Sequence, residues 1–268
     1  VEYSVLKSNL LGNKYFPNNS DYKLTQEQKK EKENQAEMCL YRIKNNIKDN
    51  EPISLAGYLS LYTISSEILL AFLVYMFSYI FYIEYKNNTI KQLVISKYPR
   101  RKIYISKLLS VCVVAFIFVL LQFLISLIVG SIIYNGELHP KLIIVNNSVI
   151  SINFIVYILL KYFLIFINIL CYAFFAQMIT IFVKSAIFGI VLPLCINFLI
   201  NPLAAYLSAQ YKFNFVKYLP SASFDLTQFL DGEVTISGIH LTSSLITIII
   251  WLFCCIAIGD YFFKNDEV

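Results

Sequence analysis

The sequence predicts an all-α fold, a polytopic bundle of membrane-spanning helices, and three observations predict it. First, its 268 residues are 58% hydrophobic with a mean hydropathy of +0.64, against roughly 45–50% apolar in soluble domains. Second, only 15% of residues are charged. Third, the apolar residues gather into runs of about 20, the length at which a helix rising 1.5 Å per residue crosses a hydrocarbon layer of roughly 30 Å. The net charge of +5 could suit a nucleic acid. Most of the excess lies in one loop, however, where orientation in the membrane explains it, so no nucleic-acid partner is expected.

Residues 1–55 are polar and nearly charge-balanced. Thr25 and Gln28 have capping-box spacing, and Ala36, Leu40, Ile43 and Ile47 follow at helical spacing. One amphipathic helix over about 26–48 is expected, ending before Pro52. The segment reads either as an extracytoplasmic element that meets substrate or as a solvated domain packing on its own chain.

The first span is expected over about 60–83, with Tyr58 and Tyr62 at one interface and Tyr79, Tyr82 and Tyr85 at the other. Glu67 lies near its outer end. An acid there is either a pathway group or an interfacial carboxylate that reaches water. Between this span and the next lies the stretch 84–107, with Lys86, Lys91, Lys97, Arg100, Arg101, Lys102 and Lys107 against a single acid, Glu84. That bias places the loop on the cytosolic side. Within it Ile90, Leu93, Val94 and the stem of Lys97 fall at i, i+3, i+4 and i+7, the spacing of a short amphipathic helix able to press one face into a partner.

The second span follows over about 108–134, with Gln122, Ser126 and Gly130 on one face. Val149–Val183 would exceed about 50 Å as a single helix. Lys161 is read as dividing it into an interfacial or re-entrant piece up to Leu160 and a third span over 162–183, with Lys161 reaching out to the interface. Lys184 and Ser185 turn tightly into a fourth span, 186–207, which contains Gly189, Pro193, Asn197, Asn201 and Pro202. Proline removes a backbone hydrogen bond and bends the helix. The bend at Pro193, with Asn197 a turn later, is either a transport hinge or static shape. An external loop with short helices is expected over 208–243, then a last span over 244–263.

If the basic loop is inside, this order puts residues 1–55 outside and the tail inside. A further span upstream of Val1 would take the N-terminal segment across, so six spans are expected in the full-length protein and five within this sequence. Five of the six cysteines lie in apolar runs, where Cys is a small packing residue. No CxxC and no metal-ligand spacing occurs, and His139 and His240 stand alone in separate loops. No Ser/His/Asp arrangement or HExxH pattern suggests an enzyme.

Glu84, Asn88-Thr89-Ile90, Leu93 and the basic run to Arg101-Lys102-Ile103-Tyr104 and Lys107 resemble the loop after the second helix of type 2 ATP-binding-cassette exporter permeases. There the pattern is an acid, Gly-Thr-Ile/Leu, an apolar pair, a Ser-Pro-like break and an Arg before the next helix. Asn88 replaces the usual Gly, and Asn also tolerates positive φ. Pro99 comes about one residue late. The resemblance covers the segment 1–55 as a first external loop and 56–268 as the transmembrane domain.

What it implies is a permease fold of six helices and a cytosolic coupling loop, 84–107. The implied contact with a separate ATPase subunit is Glu84, Asn88, Thr89, Ile90, Leu93 and Val94. Arg100, Arg101 and Lys102 would bind lipid phosphates and set orientation. No GxxxxGK[ST] phosphate loop is present, so ATP and Mg would be bound by the partner and this chain would carry no cofactor. The implied assembly pairs two permeases, identical or related, with the ATPase in a bacterial plasma membrane. Small members with this loop style resemble exporters of lantibiotic or bacitracin-type peptide antibiotics. Export of sodium or small drugs, or an ATP-independent transporter, is the alternative.

Overall fold

The structure, a computed structural model, describes residues 37, 40–45, 54–61, 66–87, 99–134, 138–145, 148–211, 219–231 and 239–265. The chain divides into two compact units, one of residues 1–60 with 130–159, the other of 61–129 with 160–268. Among the described residues five helices are long and apolar enough to cross a membrane.

In the first unit residues 40–45 are helical, with Leu40 and Ile43 exposed; most of the helix expected over 26–48 lies outside the described residues. Helix α1, Leu55–Leu61, is capped by Ser54, whose hydroxyl accepts the Gly57 N–H at 3.1 Å. The Tyr58 ring stacks on Tyr134 with centroids 5.1 Å apart. A Cβ at Gly130 would lie 2.8 Å from both Leu55 and Tyr58, so only glycine lets α1 approach there.

Strands β1, Lys141–Val145, and β2, Ser148–Ile152, pair antiparallel in register Lys141 to Ile152 and Val145 to Ser148. Their β-branched composition favours the pleated surface. This corrects the reading of Val149–Leu160 as one interfacial or re-entrant piece. Residues 148–152 are a strand, and a helix starts at Phe154, where the Asn153 side chain accepts the Ile155 N–H at 3.0 Å.

The second unit holds most of the membrane-length helices. Helix α2 is Ser66–Lys86, α3 is Arg100–Ile133 and α4 is Phe154–Val183. Lys161 does not divide α4. It is only 6% exposed and lies inside a continuous helix rather than reaching for an interface. The α3–α4 contact is partly polar: the Ser126 and Tyr162 hydroxyls lie 3.0 Å apart, beside an edge-on Phe123–Tyr162 pair.

Lys184 makes the turn after α4 with a φ of 55°, a left-handed conformation that costs a non-glycine residue about 1–2 kcal/mol. Helix α5, Ala186–Cys195, then runs into a π turn, Ile196–Ile200, and on into α6, Asn201–Tyr211. Pro193 and Pro202 bracket that turn, and neither has an N–H to donate. The backbone compensates: the Ile196 N–H donates to both Leu192 and Pro193 carbonyls, and the Asn201 N–H reaches back five residues to Ile196. The fourth expected span, 186–207, is one of the helices of membrane length, and its irregularity is a wide turn after Pro193 rather than a simple bend.

Of the expected external loop, the described residues form a 3-10 turn, Pro220–Ser223, and a short helix α7, Thr227–Asp231. Asp225 caps α7 by accepting the Thr227 N–H at 3.0 Å. Between them Phe224 and Leu226 are buried. Helix α8, Leu241–Asn265, closes the chain's described part. The helices leave wide apolar faces uncovered; Phe253 on α8 is 72% exposed and Ile68 on α2 is 75% exposed. In water such faces would be unstable, while lipid solvates them.

Candidate functional site

The basic stretch between α2 and α3 begins and ends on a clasp of three helices. Glu84 lies in the last turns of α2, not in a turn of its own, because α2 remains helical to Lys86. Its carboxylate accepts a hydrogen bond from the Lys107 ammonium, two turns into α3. The Lys107 Nζ also stands 5.2 Å from the centre of the Phe81 ring and 5.5 Å from that of Phe263 on α8. The positive head is thus matched by one carboxylate and two aromatic faces, which is how a largely buried cation is accommodated.

The first turn of α3 is fastened to the end of α8. Arg101 Nε lies 3.5 Å from Asp260 Oδ2, and Arg100 Nη1 donates to the Lys264 carbonyl at 2.8 Å. One turn on, Tyr104 is buried with its ring 5.7 Å from Phe263, and its hydroxyl occupies the space a Cβ at Gly259 would need. Arg100 and Arg101 therefore hold protein partners, which the expectation of lipid phosphates did not include. Lys102 is exposed. Asn88, Thr89, Ile90, Leu93 and Val94 lie outside the described residues.

A second polar group joins α2, α4 and the π turn. Glu67, in the first turn of α2, accepts a hydrogen bond from Asn197 Nδ2 at 2.5 Å. Asn201 Nδ2 donates to the Tyr172 hydroxyl at 2.9 Å. Tyr172 meets Phe224 edge-on at 5.2 Å, and Phe224 lies 5.8 Å from Trp251. Asn197 is the second residue of the π turn and Asn201 follows it immediately. The extra residue per turn rotates these amides relative to a regular helix. Pro193 itself makes no polar contact of this kind; it lies a turn earlier and is buried.

A tight contact also joins α2, α4 and α5. A Cβ at Gly189 on α5 would overlap the Thr180 hydroxyl and lie 3.1 Å from the Ala176 carbonyl and the Ser78 hydroxyl. Helices α2, α4 and α5 therefore converge on a glycine.

Sequence reasoning brought together Glu84 and the basic run but missed their partners. Tyr172 and Phe263 carried no local signal, whereas Asp260 is an acid inside the expected last span. Gln177 was also passed over: it is fully buried on α4, and neither end of its amide has a hydrogen-bond partner. Its one available signal was a polar residue in the middle of an apolar run. Among the described residues no cluster of three His, Cys, Asp or Glu could hold a metal ion.

The chain is 28% identical over 189 residues to Uncharacterized protein YhcI of Bacillus subtilis (strain 168). That match covers 68% of this chain and 59% of the relative, so the chain spans less than two thirds of the protein it resembles. A family model described as Protein of unknown function (DUF2705) matches residues 29–268, which include every described helix of membrane length, the clasp and the polar group around Glu67 and Asn197. The chain belongs to that family.

Proposed function

We propose that this chain is the permease subunit of an ATP-driven exporter of the type 2 ATP-binding-cassette class. It lines a translocation pathway and takes force from a separate ATPase subunit that binds ATP and Mg. The observation that carries the reading is the clasp at the two ends of residues 88–98. A segment that receives force must hang from helices that move with it. Here both ends are anchored: α2 to α3 through Glu84 and Lys107, and α3 to α8 through Arg101 and Asp260. The amphipathic spacing of Ile90, Leu93 and Val94 supplies the face for the partner.

Two copies, identical or related, would form the pathway in the plasma membrane of a bacterium, and the substrate class proposed is peptide antibiotics. Purifying the full chain from native membranes in mild detergent tests the class. A stoichiometric ATPase with a phosphate-binding loop is the expected companion. Recovery of an active transporter with no ATPase contradicts the proposal.

One observation favours a second reading. Glu67 is a carboxylate held by Asn197 at a π turn within membrane-length helices. Acids in such positions mark ion and proton pathways. That arrangement suits export of sodium or a small cationic drug, or a transporter that needs no ATPase. Transport by the chain alone in vesicles, driven by an ion gradient, would favour it.

A further inference from the structure

The wide turn after α5 frees oxygen atoms that a regular helix would use up. In an α-helix the Asn201 N–H would serve the Asn197 carbonyl. Here it donates to Ile196 instead, and Pro202, next in line, has no N–H to offer. The Asn197 main-chain carbonyl is thereby left without either donor. Carbonyls point toward the C-terminal end of a helix and side chains lean toward its N-terminal end, so the Asn201 side chain shares the layer of that carbonyl. Its Nδ2 is used on the Tyr172 hydroxyl at 2.9 Å, and its Oδ1, shut off from solvent, has no hydrogen-bond partner. The Asn197 side chain holds the half-buried Glu67 carboxylate at 2.5 Å. Among the described residues no Lys, Arg or His pairs with Glu67. Asp225, exposed beside Phe224, is near enough for its charge to act on both Glu67 and Tyr172.

We propose that Glu67, Asn201 Oδ1 and the Asn197 main-chain carbonyl form a binding site for an alkali-metal cation. The charge and the acceptors together choose that occupant. An unpaired carboxylate within membrane-length helices is costly until a positive charge meets it. A proton on Glu67 would neutralise it but supply one donor to two free acceptors. A water would supply donors but no charge. A metal cation answers both needs at once. The donors are all oxygens, which suits a hard cation. Among the described residues no third His, Cys, Asp or Glu joins Glu67 and Asp225, and Asp225 spends Oδ1 on capping α7. The local charge therefore fits a monovalent ion rather than a divalent one. Because Asn201 Oδ1 is out of contact with solvent, a bare ion reaches it and a bulky organic cation does not. Carbonyls freed where a membrane helix departs from regular winding are a known means of coordinating such ions. A bound ion would tie α2 to the π turn and, through Tyr172, to α4. The inference rests on the same Glu67 contact as the ion-gradient reading above, but it does not require transport.

The test uses the full chain purified in detergent in choline chloride. Sodium chloride or potassium chloride then replaces choline chloride at constant ionic strength, so that screening stays fixed. Thermal unfolding and titration calorimetry follow binding. At least one of the two ions is expected to raise the midpoint by about 5 °C or more at a hundredfold excess over Kd, with one ion bound per chain. Glu67→Gln keeps the shape and the acceptor for Asn197 while removing the charge, and Asn201→Ala removes the unpartnered oxygen. Either variant should abolish the shift and the bound ion. Two variants are used because Asn201→Ala also strips Tyr172 of its partner and can itself destabilise the fold. A full ion response in whichever variants fold overturns the site. A parent protein indifferent to both ions overturns it as well. If that indifferent protein is instead stabilised as pH falls, and Glu67→Gln removes the effect, the occupant is a proton and the cation assignment is overturned. Ion binding without gradient-driven transport in vesicles contradicts the transport reading and leaves the site standing.

Discussion

Lys107 is the residue on which the inner arrangement of α2, α3 and α8 converges. Its side chain is 16% exposed and that of Glu84 23%, so neither charge is well solvated. Removing one member leaves the other buried without its counter-charge, which costs about 3 kcal/mol. Glu84→Gln and Lys107→Met should each lower stability by roughly that amount. The double variant should lose clearly less than the sum, because no stranded charge remains. Thermal unfolding of the four proteins in one detergent reads the cycle, and strict additivity would show that the pair is not coupled. Gly189 is the second decisive residue. Any side chain there meets Thr180, Ser78 and a backbone carbonyl. Gly189→Val is expected to cost about 1–3 kcal/mol by overpacking. Gly189→Val with Thr180→Ala should recover part of the loss, since the nearest obstacle is then gone.

Among the elements, the π turn is the one whose geometry makes a site. Residues 196–200 place Asn197 against Glu67, and Asn201 follows directly against Tyr172. Asn197→Leu removes the donor and leaves the Glu67 carboxylate without it, at an expected cost of about 1.5–3 kcal/mol for a bond to a charged group. Pro193→Ala restores a backbone donor and lets the helix regain regular hydrogen bonding. It should weaken the Glu67–Asn197 bond by rotating the amide. Paired cysteines at Glu67 and Asn197 should therefore cross-link faster in the parent background than with Pro193→Ala. Equal rates would mean that the wide turn does not depend on the proline.

Elements also show where the sequence was legible. Apolar runs of membrane length between polar breaks are unambiguous, because only a helix satisfies its own backbone in lipid. The hairpin of β1 and β2 was not legible in the same way. Val149–Ile152 is apolar apart from Ser151 and adjoins an apolar helix, and periodicity cannot separate so short an apolar strand from a helical segment. Lys161 misled because a cation in an apolar run reads as a boundary, while its burial inside α4 depends on distant packing. Pro193 announced an irregularity without giving its form. Glu84 was recognised as the one acid of the basic stretch. Its pairing partner lies 23 residues away, a separation that local patterns do not encode.

At the scale of the molecule, the basic stretch proved to have supported ends. Charge chose the loop, and the structure ties its flanks to α8 through Arg100, Arg101, Tyr104 and Lys107. Those contacts give a displacement of the loop a route to the last helix as well as to α2 and α3. The central claim is that force enters through the apolar face of residues 90–94. The most direct measurement reconstitutes the chain, together with any ATPase recovered with it, in vesicles and compares the parent with the Ile90→Asp, Leu93→Asp double variant. ATP-driven transport should fall at least about tenfold, the equivalent of roughly 1.4 kcal/mol, with the variant still inserted at parental levels. Undiminished transport by an inserted double variant would contradict the claim.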